Sequence, residues 1–125
     1  MASEGFHERE EHLAPETRDM HRAIVSLMEE LEAIDWYSQR MDATRDEELR
    51  DILRHNRDEE MEHAAMVLEW IRRRNPTFDG KLRPYLFTSS SIVEREDAVE
   101  RGGNGNGAHV PAPPKPTIGS LRGGR

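Results

Sequence analysis

The chain has 125 residues, enough for one domain, with 18 Lys and Arg against 25 Asp and Glu and a formal charge of -7. That acidic balance argues against nucleic acid as a partner, because phosphate binding calls for a basic stripe. The absence of cysteine excludes disulfides, thiolate metal sites and cysteine nucleophiles, and 34% hydrophobic residues is sparse for a self-sufficient monomer of this size.

Two long helices are expected first. Pro15 suits a first helical turn, where its missing N–H would be unpaired anyway. After it Met20, Ala23, Leu27, Ile34, Tyr37 and Met41 recur at steps of three, four and seven, with Ile24 and Leu31 widening the stripe. Thr44-Arg45-Asp46-Glu47 fits a capping box opening a second helix, whose stripe is Leu49, Ile52, Leu53, Ala64, Val67 and Ile71 and which stops before Pro76. Each helix should have roughly 28–30 residues and span about 42–45 Å. The short connection makes an antiparallel hairpin the natural geometry. A shorter helix is expected near Ser91–Arg101, capped by Ser91 and Glu94 and stopped by Gly102.

The composition then changes. All 25 carboxylates lie in residues 1–101, with 15 of the Lys and Arg, giving that part a charge of -10. Residues 102–125 have no acid, seven of the nine Gly and four of the seven Pro, which predicts a flexible tail beyond a boundary at Arg101–Gly102. No apolar run approaches the roughly 18 residues that span a bilayer, and the acidic N-terminus lacks the features of a signal peptide. A soluble, cytoplasmic protein without membrane contact is expected. The fold class is therefore all-α, an antiparallel two-helix hairpin plus a short C-terminal helix. A hairpin leaves the apolar flanks of its helices wet, and two hairpins dimerising into a four-helix bundle would cover them.

Three polar residues interrupt the stripes. Glu30 lies between Leu27 and Ile34, while Glu60 and His63 form a Glu-x-x-His pair on the face that holds Asn56, Ala64 and Val67. Two carboxylates facing one interior cannot both stay ionised without a cation. A divalent metal such as iron, manganese or zinc accepts this mixture of carboxylate oxygen and imidazole nitrogen. A carboxylate-bridged di-iron bundle takes one Glu from each of two helices and a Glu-x-x-His from each of two more, so this chain supplies half the set. A two-fold dimer would complete it around two metals. The alternative is that Glu30, Glu60 and His63 are interface polar residues paired with Arg across a coiled coil.

The runs Met28–Tyr37 and His55–Met66 resemble those of the encapsulated ferritins, half-ferritins housed in encapsulin shells. The resemblance covers about residues 18–90 and extends to the tail. It implies a ferritin-like bundle formed by dimers, a decameric ring, and a ferroxidase centre with two irons at each dimer interface. Glu30, Glu60 and His63 match the iron ligands, and Tyr37 matches the tyrosine beside the centre. Glu29, Glu32 and Trp36 match a second metal site on the path to the centre, with calcium or another divalent ion as its expected occupant. Met61 stands where a charged residue would be expected.

Read from the residues alone, Glu29, Glu32 and Trp36 share a solvated acidic stripe with an interface Trp. Tyr37 reads as a packing residue whose hydroxyl bonds a ligand. His7, His12, His21, His55 and His109 have no carboxylate at ligand spacing on a buried stripe and read as surface or tail residues. Hard oxygen ligands favour iron(III) over iron(II), so the expected reaction is oxidation of iron(II) by dioxygen. A rubrerythrin-like peroxidase would share these ligands, and a non-catalytic helical adaptor would bind no metal.

The tail ends in Thr117, Ile118, Gly119, Ser120, Leu121 and Arg122. By composition alone this is an unstructured end. It is similar, however, to the peptides by which encapsulin shells capture cargo, with Ile118 and Leu121 as apolar anchors on an extended strand. The resemblance thus implies a shell partner and a location inside an encapsulin nanocompartment.

Overall fold

In the computed structural model, residues 5–106 are described, with side chains through residue 102. A single 3-10 turn at Glu10–His12 leads to Ala14, and Pro15 takes the first turn of helix α1, Pro15–Ala43. Helix α2 runs over Glu47–Arg74, α3 over Pro76–Leu82 and α4 over Ile92–Asn106. No strand occurs among the described residues. The all-helical reading and the hairpin of two long helices are both borne out, at 29 and 28 residues.

The connection between α1 and α2 differs in detail from the capping box expected at Thr44. Asp46 is the N-cap of α2, its carboxylate accepting from the Leu49 N–H at 2.9 Å. Thr44 instead turns its hydroxyl to accept from the Asp46 N–H at 3.2 Å. Asp wins because its carboxylate also suits the positive end of the helix dipole. Arg50 secures the turn from the other side. Its guanidinium donates to the Met41 carbonyl at 3.0 Å and to the Thr44 carbonyl, satisfying acceptors that the end of α1 leaves open, and it pairs with Glu47 at 2.6 Å.

The hairpin core is thin. Met41, Leu53, Ala64 and Ile71 are buried, and the best covered, Ile71, keeps 3% of its surface exposed. Leu53, Ala64 and Ile71 recur at helical spacing and mark the seam that α2 presents to α1. The flanks of both stripes stay wet, as expected for two helices: Ile24 and Leu31 on α1, and Leu49, Ile52 and Met66 on α2, are exposed.

A helix unforeseen in the sequence follows at Pro76. Asn75 caps it, its side-chain oxygen accepting from the Phe78 N–H at 3.0 Å, and Pro76 opens the first turn. An Asn-Pro pair thus closed one helix and opened another. Arg72 spans this corner, pairing with Glu69 at 2.8 Å and Asp79 at 2.5 Å.

The chain divides into two compact units at Asp79–Gly80. Within the second, Arg95 donates to the Pro84 carbonyl at 2.8 Å, and Ser91 caps α4 by accepting from the Glu94 N–H at 3.3 Å, as expected. The expected stop at Gly102 is not observed, since α4 continues to Asn106. Gly102 is exposed with open space around it, and glycine weakens a helix interior by only about 1 kcal/mol. Phe87, between α3 and α4, has φ 62 and a fully exposed ring. The segment expected to address a shell, 117–122, lies outside the described residues, as does His109.

Candidate metal centre

The two long helices bring the three singled-out residues together. Glu30 comes from α1, and Glu60 and His63 come from successive turns of α2. His63 Nδ1 lies 3.3 Å from Glu60 Oε1 and 3.8 Å from Glu30 Oε1. One donor atom from each residue falls within 4.8 Å of the other two, and this is the one such acid and histidine group among the described residues.

The surroundings are half-dry. The side chains of Glu30 and Glu60 keep 25% and 24% of their surface exposed and that of His63 keeps 47%. The group therefore sits on one flank of the hairpin, open on one side. The electrostatics carry the mark of two acids forced together. A hydrogen bond to Glu60, reinforced by burial, raises the Glu30 carboxyl above its ordinary range. Glu60 is lowered by the bond from Glu30 and by His63. The opposite shifts of these neighbouring carboxyls mark a place where negative charge is crowded.

The donor set fits a divalent first-row metal. Two carboxylates and one imidazole supply hard oxygen and borderline nitrogen ligands, the mixture iron accepts. Three protein ligands would not fill the coordination shell of such an ion, and room for a substrate would remain.

The remaining candidates lie outside that group of three. Glu29 and Glu32 are exposed on α1, and Trp36 keeps 50% of its surface, so these three stand on a wet face. Tyr37 is half-buried two turns beyond Glu30, with the Arg40 guanidinium 5.4 Å from its ring centre. His7, His12 and His55 are exposed, and His21 is half-buried with its ring 4.7 Å from that of Phe6. The surface reading agrees with the placement of His7, His12 and His55, whereas His21 is partly covered by Phe6. The strongest ion-pair network was not foreseen: Arg72 and Arg73 hold the Glu69 carboxyl down at about 2. The spacings Glu69–Arg72 and Glu69–Arg73 were visible in the sequence, but Asp79 joins only after the turn at Pro76.

Residues 5–89 match the EncFtn-like family. The chain belongs to that family. Among curated relatives, this EncFtn-like chain is 51% identical to an encapsulated ferritin-like protein of Rhodospirillum rubrum, over 98% of the chain and 91% of the relative. It is 50% identical to a ferritin-like protein of Thermotoga maritima over 84% of the chain and 92% of the relative. It is also 35% identical to an encapsulin nanocompartment cargo protein of Myxococcus xanthus, over 83% and 85%. A crystal structure of a Nitrosomonas europaea protein superposes with a TM-score of 0.68 at 62% identity, covering 70% of this chain and 97% of that one. The resemblance carried by Met28–Tyr37 and His55–Met66 is thus borne out. The EncFtn-like chain is a ferritin-like protein, and no described helix is long and apolar enough to cross a membrane.

Proposed function

We propose that this chain is a ferroxidase, oxidising iron(II) to iron(III) with dioxygen as the electron acceptor. The observation that carries this reading is the convergence of Glu30, Glu60 and His63 within 4.8 Å on an open flank of the hairpin. Iron is the substrate as well as the occupant of the site. Glu60 and His63 hold it from α2, and Glu30 completes or bridges from α1. Their carboxylate oxygens favour the higher oxidation state, which supplies driving force for the oxidation. A cation held there relieves the repulsion between the Glu30 and Glu60 carboxylates.

The site is half of a di-iron set, so a second copy of the chain completes it, with two irons per dimer interface and a decameric ring as the larger assembly. The wet apolar flank around His63 supports this, since Ile52 and Met66 on α2 need covering. Glu29, Glu32 and Trp36 form the approach by which cations, calcium or another divalent ion among them, reach the centre, and Tyr37 stands beside it. A hairpin encloses no space for mineral. The segment Thr117–Arg122 therefore addresses the ring to the inside of an encapsulin shell, which holds the product. The name of the Myxococcus xanthus relative, a cargo protein, supports that destination.

The test is iron(II) added to the full chain in air, following iron(III) by absorbance, with the mass of the assembly measured before and after. Oxidation well above the buffer rate, together with growth of the assembly, is expected. A rate equal to buffer would overturn the enzymatic reading. Co-expression of a shell protein with a chain ending at Pro116 tests the address, and packaging equal to that of the full chain would overturn it.

A further inference from the structure

Glu30 and His63 meet across the hairpin at 3.8 Å. In an antiparallel pair, seven residues forward on one helix and seven back on the other repeat that relation, because a heptad closes two turns to within about 20°. Seven residues on from Glu30 is Tyr37, and seven back from His63 is Asn56. The hairpin therefore sets Tyr37 opposite Asn56, on the same flank as the metal centre and one heptad along it. Both side chains are half-buried. Among the described residues, neither the Asn56 amide nor the Tyr37 hydroxyl has a hydrogen-bond partner.

Asn56 has a second relation to the site, standing one turn before Glu60 on the same face of α2. Helical side chains lean back towards the N-terminus, so the Glu60 carboxylate reaches over the turn that carries Asn56, and the Tyr37 ring leans towards Glu30. Glu30 and His63 use part of the Glu60 carboxylate. A carboxylate has about four acceptor positions, so capacity remains for a donor. Once the flank is covered, an amide left without a partner there is costly, and an ionised oxygen one turn away is the strongest acceptor in reach.

We propose that Asn56 is a positioning residue of the metal centre: its side-chain amide donates to the Glu60 carboxylate and fixes which oxygen faces the metal, with the Tyr37 hydroxyl bonding the other side of the amide. This rests on the metal-centre reading above. Ligating carboxylates are held by such outer hydrogen bonds, whose loss lowers metal affinity by roughly 10–100-fold.

The experiment is anaerobic titration of the full-length protein with cobalt(II), whose visible bands report ligand geometry, alongside far-UV circular dichroism. Asn56→Ala should bind as many cobalt ions as the unsubstituted chain, roughly 10–100-fold more weakly and with altered bands. Asn56→Gln, which keeps the donor, should recover most of the affinity and the original bands. Unchanged affinity and bands in Asn56→Ala would overturn the proposal, as would equal losses of affinity and helicity in both variants, which mark a packing role. Failure of the unsubstituted chain to bind cobalt(II) would remove the metal centre itself and Asn56's role with it. Cobalt binding unaffected by Asn56→Ala would remove the role alone.

Discussion

Up to Asp79, the chain buries Met41, Leu53, Ala64 and Ile71 along one seam and gathers Glu30, Glu60 and His63 beside it. From Gly80 on, no described side chain is buried, and Ile92, Val93 and a Phe87 with left-handed backbone stand in solvent. Side-chain packing holds the hairpin. Local hydrogen bonds hold the second unit, chiefly the Ser91 cap and the Arg95 bond to Pro84. The contrast teaches that a function needing fixed distances between helices can be carried by the first unit alone, whereas substitutions in the second should leave both stability and the centre nearly untouched.

The largest effect expected is on chemistry. His63→Ala should slow iron oxidation by more than about 100-fold, since losing a ligand exceeds the 10–100-fold cost of losing a ligand's partner. Glu30→Ala and Glu60→Ala should act alike, while Glu32→Ala and Trp36→Gly should change the rate of iron uptake and leave bound iron at the centre. Loss of both irons in Glu32→Ala would merge the two sites into one. Next, the packing contrast itself can be broken. Ile71→Ala should cost about 2–4 kcal/mol in urea unfolding, and Ile92→Ala less than about 0.5 kcal/mol. Equal costs would mean that the second unit is held by contacts of its own.

Smaller effects sharpen the picture at the corners of the hairpin. Asp46→Ala should cost about 1 kcal/mol by removing the α2 cap. Thr44→Ala should cost less, and the reverse order would restore Thr44 as the cap. Glu69 supplies a pH signature, because its carboxyl is lowered from 4.5 to about 2, first by its hydrogen bond to Arg72. A lowered acid contributes stability that is full above its unfolded pKa and is lost as the folded one is approached. Thermal unfolding should therefore lose a modest increment between about pH 4.5 and 2, modest because the side chain is 41% exposed and screened. Glu69→Gln should flatten that increment. The smallest change is expected at Phe87→Asn, which relieves left-handed backbone strain and should alter stability by under about 1 kcal/mol, in the favourable direction.

Much of this was legible in the sequence. Apolar spacings that fit whole helical turns through Met20–Met41 and Leu49–Ile71 marked both helices, because a helix can bury only what recurs every 3.6 residues. The same periodicity marked Glu30, Glu60 and His63 as carboxylates and imidazole on apolar faces. The ends were less legible. Thr44 and Asp46 are both good caps, and the choice went to the one whose carboxylate reached Leu49 while Arg50 claimed the carbonyls of Met41 and Thr44. Asn75-Pro76 read as a stop, although the same pair starts a helix when the chain turns and Asp79 finds Arg72. What only the tertiary structure decided is register. Sequence spacing relates residues along one helix, but the 3.8 Å between Glu30 and His63 depends on how far α2 slides along α1. That offset is set by the three-residue connection and the Arg50 clamp, contacts between positions whose meeting no single-helix period encodes.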